Sequence, residues 1–221
     1  MAKIVVRKSG GKVVVSESKS AALLPIPQLD IQQVNYLIRS RRSVFPKQFS
    51  GEAVSREEIE ALLENAHWAP NHGKTEPWFF KVFTGPSLKT LGEAQAKIYQ
   101  EVTSEESFDQ KKYDKLLNRP LACSHVIAIC MKRGANPKIP VIEEIEAVAA
   151  AVQNMHLTAT ALGLGAYWSS GGVVYHDRMR EWMGLGEEDK LLGFFMVGRP
   201  KDGWPRGKRN SAWQDKVEWV E

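Results

Sequence analysis

Cysteine is scarce in this 221-residue sequence, which contains only Cys123 and Cys130. Two thiols cannot build the disulfide framework of a small secreted domain, so a reducing compartment is expected, and the cytoplasm is the simplest one. Long apolar runs are also missing. The uncharged stretch 147–176 is interrupted by polar residues and glycines, and the N-terminus lacks the apolar stretch of a signal peptide. No membrane partner is therefore expected.

Most of the chain also lacks a surplus of charge of one sign. The formal net charge is +4, but residues 1–20 hold five basic residues and one acidic residue, which accounts for all of it. Because the rest of the chain is neutral, no nucleic-acid partner is expected. Residues 1–30 are predicted to be a basic N-terminal extension, with a hairpin at Gly10–Gly11 and a linker at 16–28.

Helical and strand patterns follow one another without regular βαβ repetition, which predicts an α+β fold. Helices are expected at about 31–41, between the capping box of Ser55 and Glu58 and the stop at Pro70, at 88–102 and at 176–183. Strands are expected at 78–84, 125–131, 166–168 and 191–197. Residues 103–120 are charged and weakly patterned, which suggests a mobile helix or a lid.

One long helix is predicted between Val141 and Leu162, because apolar residues recur there at alternating spacings of four and three. Such a helix would be about 33 Å long, enough to cross a whole domain. Small alanines on its other faces suit close packing all round. A central core helix in a monomer and a helix shared across a dimer interface explain this pattern about equally well.

Familiar catalytic motifs are absent from the sequence. There is no GxSxG, no HExxH and no phosphate-binding loop ending in Gly-Lys-Ser/Thr. The two cysteines are seven residues apart around a predicted strand, which is not a metal-ligand spacing, so no metal site is expected. No catalytic side chain can be named. If the protein is an enzyme, its reactive group is expected to come from a cofactor.

Three segments have side chains suited to holding such a cofactor. Arg41-Arg42-Ser43 offers guanidinium groups and a hydroxyl for a phosphate, although two arginines there also suit the negative end of a helix dipole. The loop 68–78 contains two tryptophans, which offer flat apolar surfaces for a planar ligand. It is equally well explained as a structural loop whose tryptophans pack against the protein. The segment 163–172 combines glycines with two serines, and read alone it is only a helix end, a strand and a turn.

The order and separation of these segments resemble the nitroreductase family. The shared features are Arg-Arg-Ser, an Ala-Pro…Pro-Trp loop, a long Ala-rich helix, Gly-x-Gly-x-x-Trp-x-Ser-Gly and a last strand ending Gly198-Arg199-Pro200. The resemblance covers about residues 34–200. It implies a three-layer α+β fold, with a mostly antiparallel central sheet flanked by helices and one long central helix. It also implies a homodimer that binds FMN at the subunit interface, with residues 31–221 as the FMN-binding domain.

The same resemblance implies a function and a set of FMN contacts. NAD(P)H would reduce the FMN, and a small aromatic acceptor such as a nitroaromatic or a quinone would then take the electrons in a ping-pong cycle. The implied FMN-binding residues are Arg41, Arg42 and Ser43 near the phosphate, ribityl chain or ring edge, Trp68 and His72 in the loop, Trp168, Ser169 and Ser170 against the flavin, and Lys208 or Arg209 near the phosphate.

Three positions depart from the family pattern toward a less positive pocket. Trp68 stands where similar members have Arg, Glu76 replaces a usual Gln, and Ser169 replaces a common Arg. These changes leave open the preference between NADH and NADPH. They also motivate an alternative function, a non-catalytic flavin-binding protein for storage or sensing.

Overall fold

The computed structural model describes residues 28–221 and, for their backbone, the strands β1 (Ile4–Ser9) and β2 (Lys12–Glu17). Contacts divide the chain into two units, 1–34 and 35–221. In the first unit β1 and β2 pair in antiparallel fashion, with Ser9 opposite Lys12, which confirms the predicted hairpin. The Gly10–Gly11 turn and positions 18–27 of the predicted linker lie outside the described residues.

From residue 28 onward, the described chain contains six α-helices and four strands. The helices are α1 (Ile31–Ser40), α2 (Arg56–His67), α3 (Pro86–Val102), α4 (Gln110–Asn118), α5 (Val141–Ala161) and α6 (Asp177–Trp182). The strands are β3 (Trp78–Thr84), β4 (His125–Met131), β5 (Gly165–Ser169) and β6 (Lys190–Gly198). Each predicted helix and strand is present; the ends of β3 and β4 match the prediction and the other ends differ by up to a few residues.

The capping box at the start of α2 forms as its sequence predicts. Ser55 Oγ accepts a hydrogen bond from the Glu58 backbone N–H (3.2 Å), and the Ser55 N–H donates to Glu58 Oε2 (2.9 Å). Both bonds use backbone donors that the first helical turn leaves unpaired. Arg199 also donates to both Glu58 carboxylate oxygens (2.8 and 3.0 Å), so the cap ties α2 to the end of β6.

The four strands form one antiparallel sheet in the order β3–β4–β6–β5. All seven residues of β4 are buried, as the continuous apolar run predicts for a central strand. Helices α2 and α5 cover one face through residues such as Leu62, Val148 and Met155. Helices α3, α4 and α6 cover the other through residues such as Leu91 and Met179. This confirms the three-layer α+β fold with its long helix, α5.

The stretch 103–120 folds as a short 3-10 helix, Glu105–Ser107, followed by α4. Phe108 stacks on Tyr99 of α3, with ring centroids 5.5 Å apart, and Leu116 is buried against the core. The weak sequence pattern suggested a mobile helix or a lid here, whereas in the structure α4 is packed against the core. A lid role for this stretch remains a prediction.

Among the residues that the structure describes, no helix combines the length and the apolar character that a bilayer crossing requires.

Candidate functional site

A cluster of arginines lies where the end of α1 meets the C-terminal tail. The segment after α1 runs beside the edge strand β5, since the Val44 N–H donates to the Ala166 carbonyl (2.9 Å). The tail returns to the same place, because the Trp204 indole N–H donates to the Ser40 carbonyl (2.6 Å). Burial, and then the charges of Arg209 and Arg42, lower the pKa of the Arg41 guanidinium. Arg41 and Arg209 are therefore neighbours with like charge.

The guanidinium of Arg42 is engaged by the backbone. Its Nη1 donates to the carbonyls of Arg39 (2.6 Å) and Arg41 (2.8 Å), which lie at the C-terminal end of α1. Gly207 packs so closely on this guanidinium that a β-carbon at that position would collide with it. Arg42 thus caps α1 and anchors the tail, while its buried Nε has no partner among the described residues. Ser43, the next residue, is exposed.

Both candidates near the C-terminus, Lys208 and Arg209, are exposed. The charge of Arg209 acts on Arg41, and the Lys208 carbonyl accepts a long bond (3.5 Å) from Arg209 Nη1. Within residues 28–221, none of the ion pairs involves Arg41, Arg42 or Arg209. Cations held together without a carboxylate form a site that attracts an anion, because their mutual repulsion is relieved when the anion binds.

His156 of α5 lies beside this cluster. It is 7% exposed, and its ring meets Phe195 edge-on with centroids 4.6 Å apart. Burial, and then the charge of Arg41, lower the pKa of His156 to about 4, so the imidazole is neutral at pH 7. Its Nδ1 is buried without a hydrogen-bond partner among the described residues.

A cleft of about 480 Å³ opens next to Ser43, between β5, the 3-10 helix Pro46–Gln48 and the end of α4. It is lined by two aromatic rings, three basic residues and no carboxylate: Phe45, Pro46, Lys47, Lys115, Asn118, Arg119, Ala122 and Tyr167. The Phe45 and Tyr167 rings touch, with centroids 4.6 Å apart. Such a cleft suits a planar ligand that carries or develops negative charge.

Arg119 is the most buried cation of this cleft. Burial lowers the pKa of its guanidinium, although Tyr167 and Cys123 act in the opposite direction. Its Nε is buried and has no hydrogen-bond partner among residues 28–221. An unpaired buried donor costs free energy unless a ligand or water satisfies it, so this atom is available to hydrogen-bond a ligand.

The segment around Trp168 divides between the two faces of the sheet. The Trp168 indole N–H donates to the Leu192 carbonyl (3.0 Å), and its ring packs on Gly193 in the core that α2 and α5 cover. Tyr167 and Ser169 point to the opposite face, because successive strand side chains alternate. Ser169 is buried, whereas Ser170 lies exposed just beyond the strand.

The loop after α2 carries the other predicted contacts. Trp68 ends α2 and is 80% exposed, which is unusual for so large an apolar side chain. His72 Nδ1 lies 2.6 Å from Glu143 Oε2 of α5. Lys74 and Glu76 have positive φ values of 54° and 45°, and the Glu76 N–H donates to Asn71 Oδ1 (3.1 Å). Left-handed backbone at non-glycine residues is strained and persists only where surrounding contacts hold it.

A buried ion pair lies in the neighbouring connection between β4 and α5. Arg133 Nη1 lies 2.5 Å from Glu144 Oε2, with side-chain exposures of 11% and 1%. Arg133 Nη2 also donates to the Ile139 carbonyl (2.7 Å). The same connection meets the end of the loop, because the Lys132 N–H donates to the Pro77 carbonyl (2.7 Å). The ion pair therefore stabilises a segment that borders the loop carrying His72.

A single chain does not bring His72 and the arginine cluster together. His72 is bonded at Glu143 near the start of α5, whereas the arginines lie beside His156, thirteen residues further along the same helix. At 1.5 Å per residue, the two positions are about 20 Å apart. Trp68 lies between them, because its N–H donates to the Asn65 carbonyl (3.3 Å), which also accepts from Asn154 Nδ2 of α5 (3.0 Å).

No alternative reactive centre appears among the described residues. No cluster of three His, Cys, Asp or Glu side chains is arranged to hold a metal ion in that part of the chain. Both cysteines are buried and unbonded, and burial raises the pKa of each thiol to about 12. Neither thiol is thus ionised or accessible as a nucleophile near pH 7.

Four residues of this region were not selected from the sequence: Phe45, Arg119, His156 and Tyr167. Phe45 lies two residues after Ser43, and Tyr167 directly precedes Trp168, so strand alternation could have suggested Tyr167 as the residue on the other face. Nothing local distinguishes Arg119 from the other charges of 103–120, or His156 from a core histidine.

Known proteins share this fold and sequence pattern. Putative NAD(P)H nitroreductase YdjA of Escherichia coli (strain K12) is 29% identical over 165 residues, which covers 75% of this chain and 87% of the relative. The crystal structure of a nitroreductase-like family protein from Bacillus cereus is 30% identical, with a TM-score of 0.74 and coverage of 90% and 100% of the two chains.

A more distant structure has the same fold. It is the FMN-dependent nitroreductase NfnB from Mycobacterium smegmatis, solved in complex with NADPH, with 20% identity, a TM-score of 0.65 and coverage of 87% of this chain and 100% of NfnB. A family model described as the nitroreductase family matches residues 38–199, which include Arg41-Arg42-Ser43, the loop, α5 and all four strands of the main sheet. The chain belongs to the nitroreductase family.

Proposed function

We propose that this protein is an FMN-dependent oxidoreductase that uses NAD(P)H to reduce nitroaromatic, quinone or similar acceptors. The observation that carries the proposal is the convergence of Arg41 and Arg209, unpaired with any described carboxylate, beside a cleft lined by aromatic rings and cations. A mononucleotide with a flat heteroaromatic ring needs both features: cations that bind its phosphate and a flat pocket that holds its ring.

The phosphate fits the arginine cluster. Arg41 and Arg209 would donate charge-assisted hydrogen bonds to it, and Ser43 would add a hydroxyl donor. Arg42 contributes positive charge while its Nη1 stays on the backbone carbonyls. Phe45 of the cleft is four residues from Arg41, so the two backbone positions are at most about 14 Å apart. A ribityl chain bridges such a separation.

The ring fits the cleft. Phe45 and Tyr167 offer apolar contact, Asn118 offers an amide, and the unpaired Nε of Arg119 offers a buried cationic donor. FMN supplies the redox chemistry: it accepts hydride from NAD(P)H and passes the electrons to the acceptor. Arg119 would stabilise the negative charge that builds up on the ring edge during reduction, and Ser170 at the end of β5 would offer a further donor.

We propose that the active molecule is a homodimer in which each flavin site uses both subunits. An isologous contact that pairs two α5 helices in antiparallel fashion would bring the loop of one subunit to the arginine cluster of the other. Trp68 and His72 would then contact the flavin held by the partner subunit. Large exposed apolar side chains support such a contact: Tyr36 and Ile38 of α1, Ile142 of α5, and Trp219 of the tail. Two unbonded cysteines favour the cytoplasm as its compartment.

Steady-state kinetics test the oxidoreductase assignment. With NADPH as donor and a quinone as acceptor, initial-rate double-reciprocal plots at several fixed acceptor concentrations are expected to be parallel lines, because both substrates use the same cleft in turn. Intersecting lines would show that donor and acceptor are bound together, against the ping-pong cycle. Bound FMN that NADPH leaves fully oxidised would favour the storage or sensing alternative.

A further inference from the structure

We propose that His156 is a proton-coupled member of the phosphate site, which takes up a proton when the phosphate of FMN joins Arg41 and Arg209. This inference rests on the proposed FMN function and adds to it a residue that carries charge only in the bound state. It starts from a buried imidazole that is held against a cationic cluster and has a free ring nitrogen.

Every described charged group acting on this imidazole is positive. From the segment after α1 the group is Arg41, and Arg41 is in turn affected by Arg42 and by Arg209 of the tail. From β6 the packed residue is Phe195, which does not titrate. Without an anion, burial and then the charge of Arg41 keep His156 neutral. In the same state its Nδ1 is a buried polar atom with no described partner, which is a cost in free energy.

A bound phosphate would add negative charge beside His156, where the described charge is positive. The negative charge of a phosphate held by these guanidinium groups would favour the imidazolium form and would oppose both the effect of burial and the repulsion from Arg41. Protonation then turns His156 into a cation beside the anion. Because a proton is taken up on binding, the affinity gained through His156 is present at low pH and fades as the pH rises above the pKa of His156 in the complex.

Calorimetric titration of the apoprotein with FMN tests this coupling. In buffers of different ionisation enthalpy at pH 6, the wild type is expected to take up nearly one proton more per FMN than His156→Gln. The dissociation constant of His156→Gln is expected to be about tenfold higher than that of the wild type at pH 6, and close to it at pH 8.5. The second ionisation of the FMN phosphate also lies near pH 6, but it is common to both proteins and cancels in the comparison.

Two controls separate the site from general effects. His125 is a second buried histidine, 9% exposed, whose Nδ1 bonds Ser124 Oγ (3.0 Å) on β4, so His125→Gln is expected to keep the wild-type proton uptake. Riboflavin, which lacks the phosphate, is expected to bind without the extra proton.

A measurement on the wild type alone guards against misfolding of the variant. Long-range ¹H–¹⁵N spectra at pH 6 are expected to show a neutral His156 in the apoprotein and an imidazolium after FMN is added. Equal proton uptake by the wild type and His156→Gln, or a His156 that stays neutral with FMN bound, would overturn the inference and leave the FMN assignment intact. A wild type that binds no FMN at any pH would overturn both.

Discussion

Replacing Arg41 by alanine is expected to raise the dissociation constant for FMN about 100-fold. Hydrogen bonds to a charged group contribute about 1.5–3 kcal/mol, and about 2.7 kcal/mol corresponds to a factor of 100. Arg41 is chosen because it interacts electrostatically with the other residues of the cluster, Arg42, Arg209 and His156. Fluorescence quenching of FMN during titration of the apoprotein measures the constant.

Arg39→Ala is the matched control for this prediction. Arg39 lies two residues earlier, in the last turn of α1, and its side chain is exposed. The substitution removes the same charge from the same helix end without entering the cluster, so the constant is expected to change less than threefold. Equal losses in the two variants would mean that only the overall charge of the helix end matters, against a phosphate clamp at Arg41.

The same variant tests whether the site is shared between subunits. Arg41→Ala and His72→Ala proteins are each expected to bind FMN poorly. In a mixed dimer, a shared site would combine both lesions in one pocket and leave the other pocket intact. Mixing after partial unfolding is therefore expected to restore tight binding at up to one site per mixed dimer. No recovery in dimers shown to be mixed would mean that each site is built within one chain.

The Arg133→Leu substitution is expected to lower the free energy of unfolding by about 3–5 kcal/mol. Glu144 is 1% exposed, and without Arg133 its carboxylate would keep only the Gly134 N–H as a described partner (3.0 Å). Removing one member of a buried ion pair leaves an uncompensated charge, which accounts for a loss of this size. Urea unfolding followed by circular dichroism measures the change in midpoint at constant slope.

An exposed pair provides the comparison for Arg133. Arg56 and Glu60 lie 2.7 Å apart on α2, with side-chain exposures of 86% and 57%. Arg56→Leu is expected to change the unfolding free energy by less than about 1 kcal/mol, because solvent screens such pairs. A similar small effect for Arg133→Leu would mean that the connection between β4 and α5 does not depend on its ion pair.

The sequence predicted the fold well wherever the signal was local and periodic. The alternating spacing from Val141 onward predicted α5 to within one residue of its end, and the apolar run 125–131 predicted a fully buried central strand. Ser55 and Glu58 predicted the start of α2 because a capping box involves only one helical turn. The packing of residues 103–120 was not predicted, since it depends on tertiary contacts such as the stacking of Phe108 on Tyr99 of α3 and the burial of Leu116 in the core.

The candidate site could be predicted only in part, because its contacts join distant segments. The sequence did not predict that the tail returns to the end of α1, where Trp204 bonds Ser40 and Gly207 packs on Arg42. Trp168 was selected for its place in the motif, yet its indole bonds Leu192 and the neighbouring Tyr167 lines the cleft. Which of two adjacent strand residues faces a pocket depends on the sheet register, which the sequence does not specify by itself.

Charge in the pocket is the point on which sequence and structure differ most. The residues at 68, 76 and 169 suggested a less positive site, but the cleft gathers Lys47, Lys115 and Arg119 from segments outside the family motifs. In the proposed function Lys47, Lys115 and Arg119 supply, near the ring, the positive charge that positions 68 and 169 lack. This favours the enzyme over a storage protein.

Visible absorption spectroscopy of the apoprotein titrated with FMN tests the central claim most directly. The account predicts saturation at one FMN per chain with a shift in the visible flavin band, and loss of that band when NADPH is added without oxygen. A protein that leaves the FMN spectrum unchanged, and from which all FMN passes through a desalting column, would contradict it.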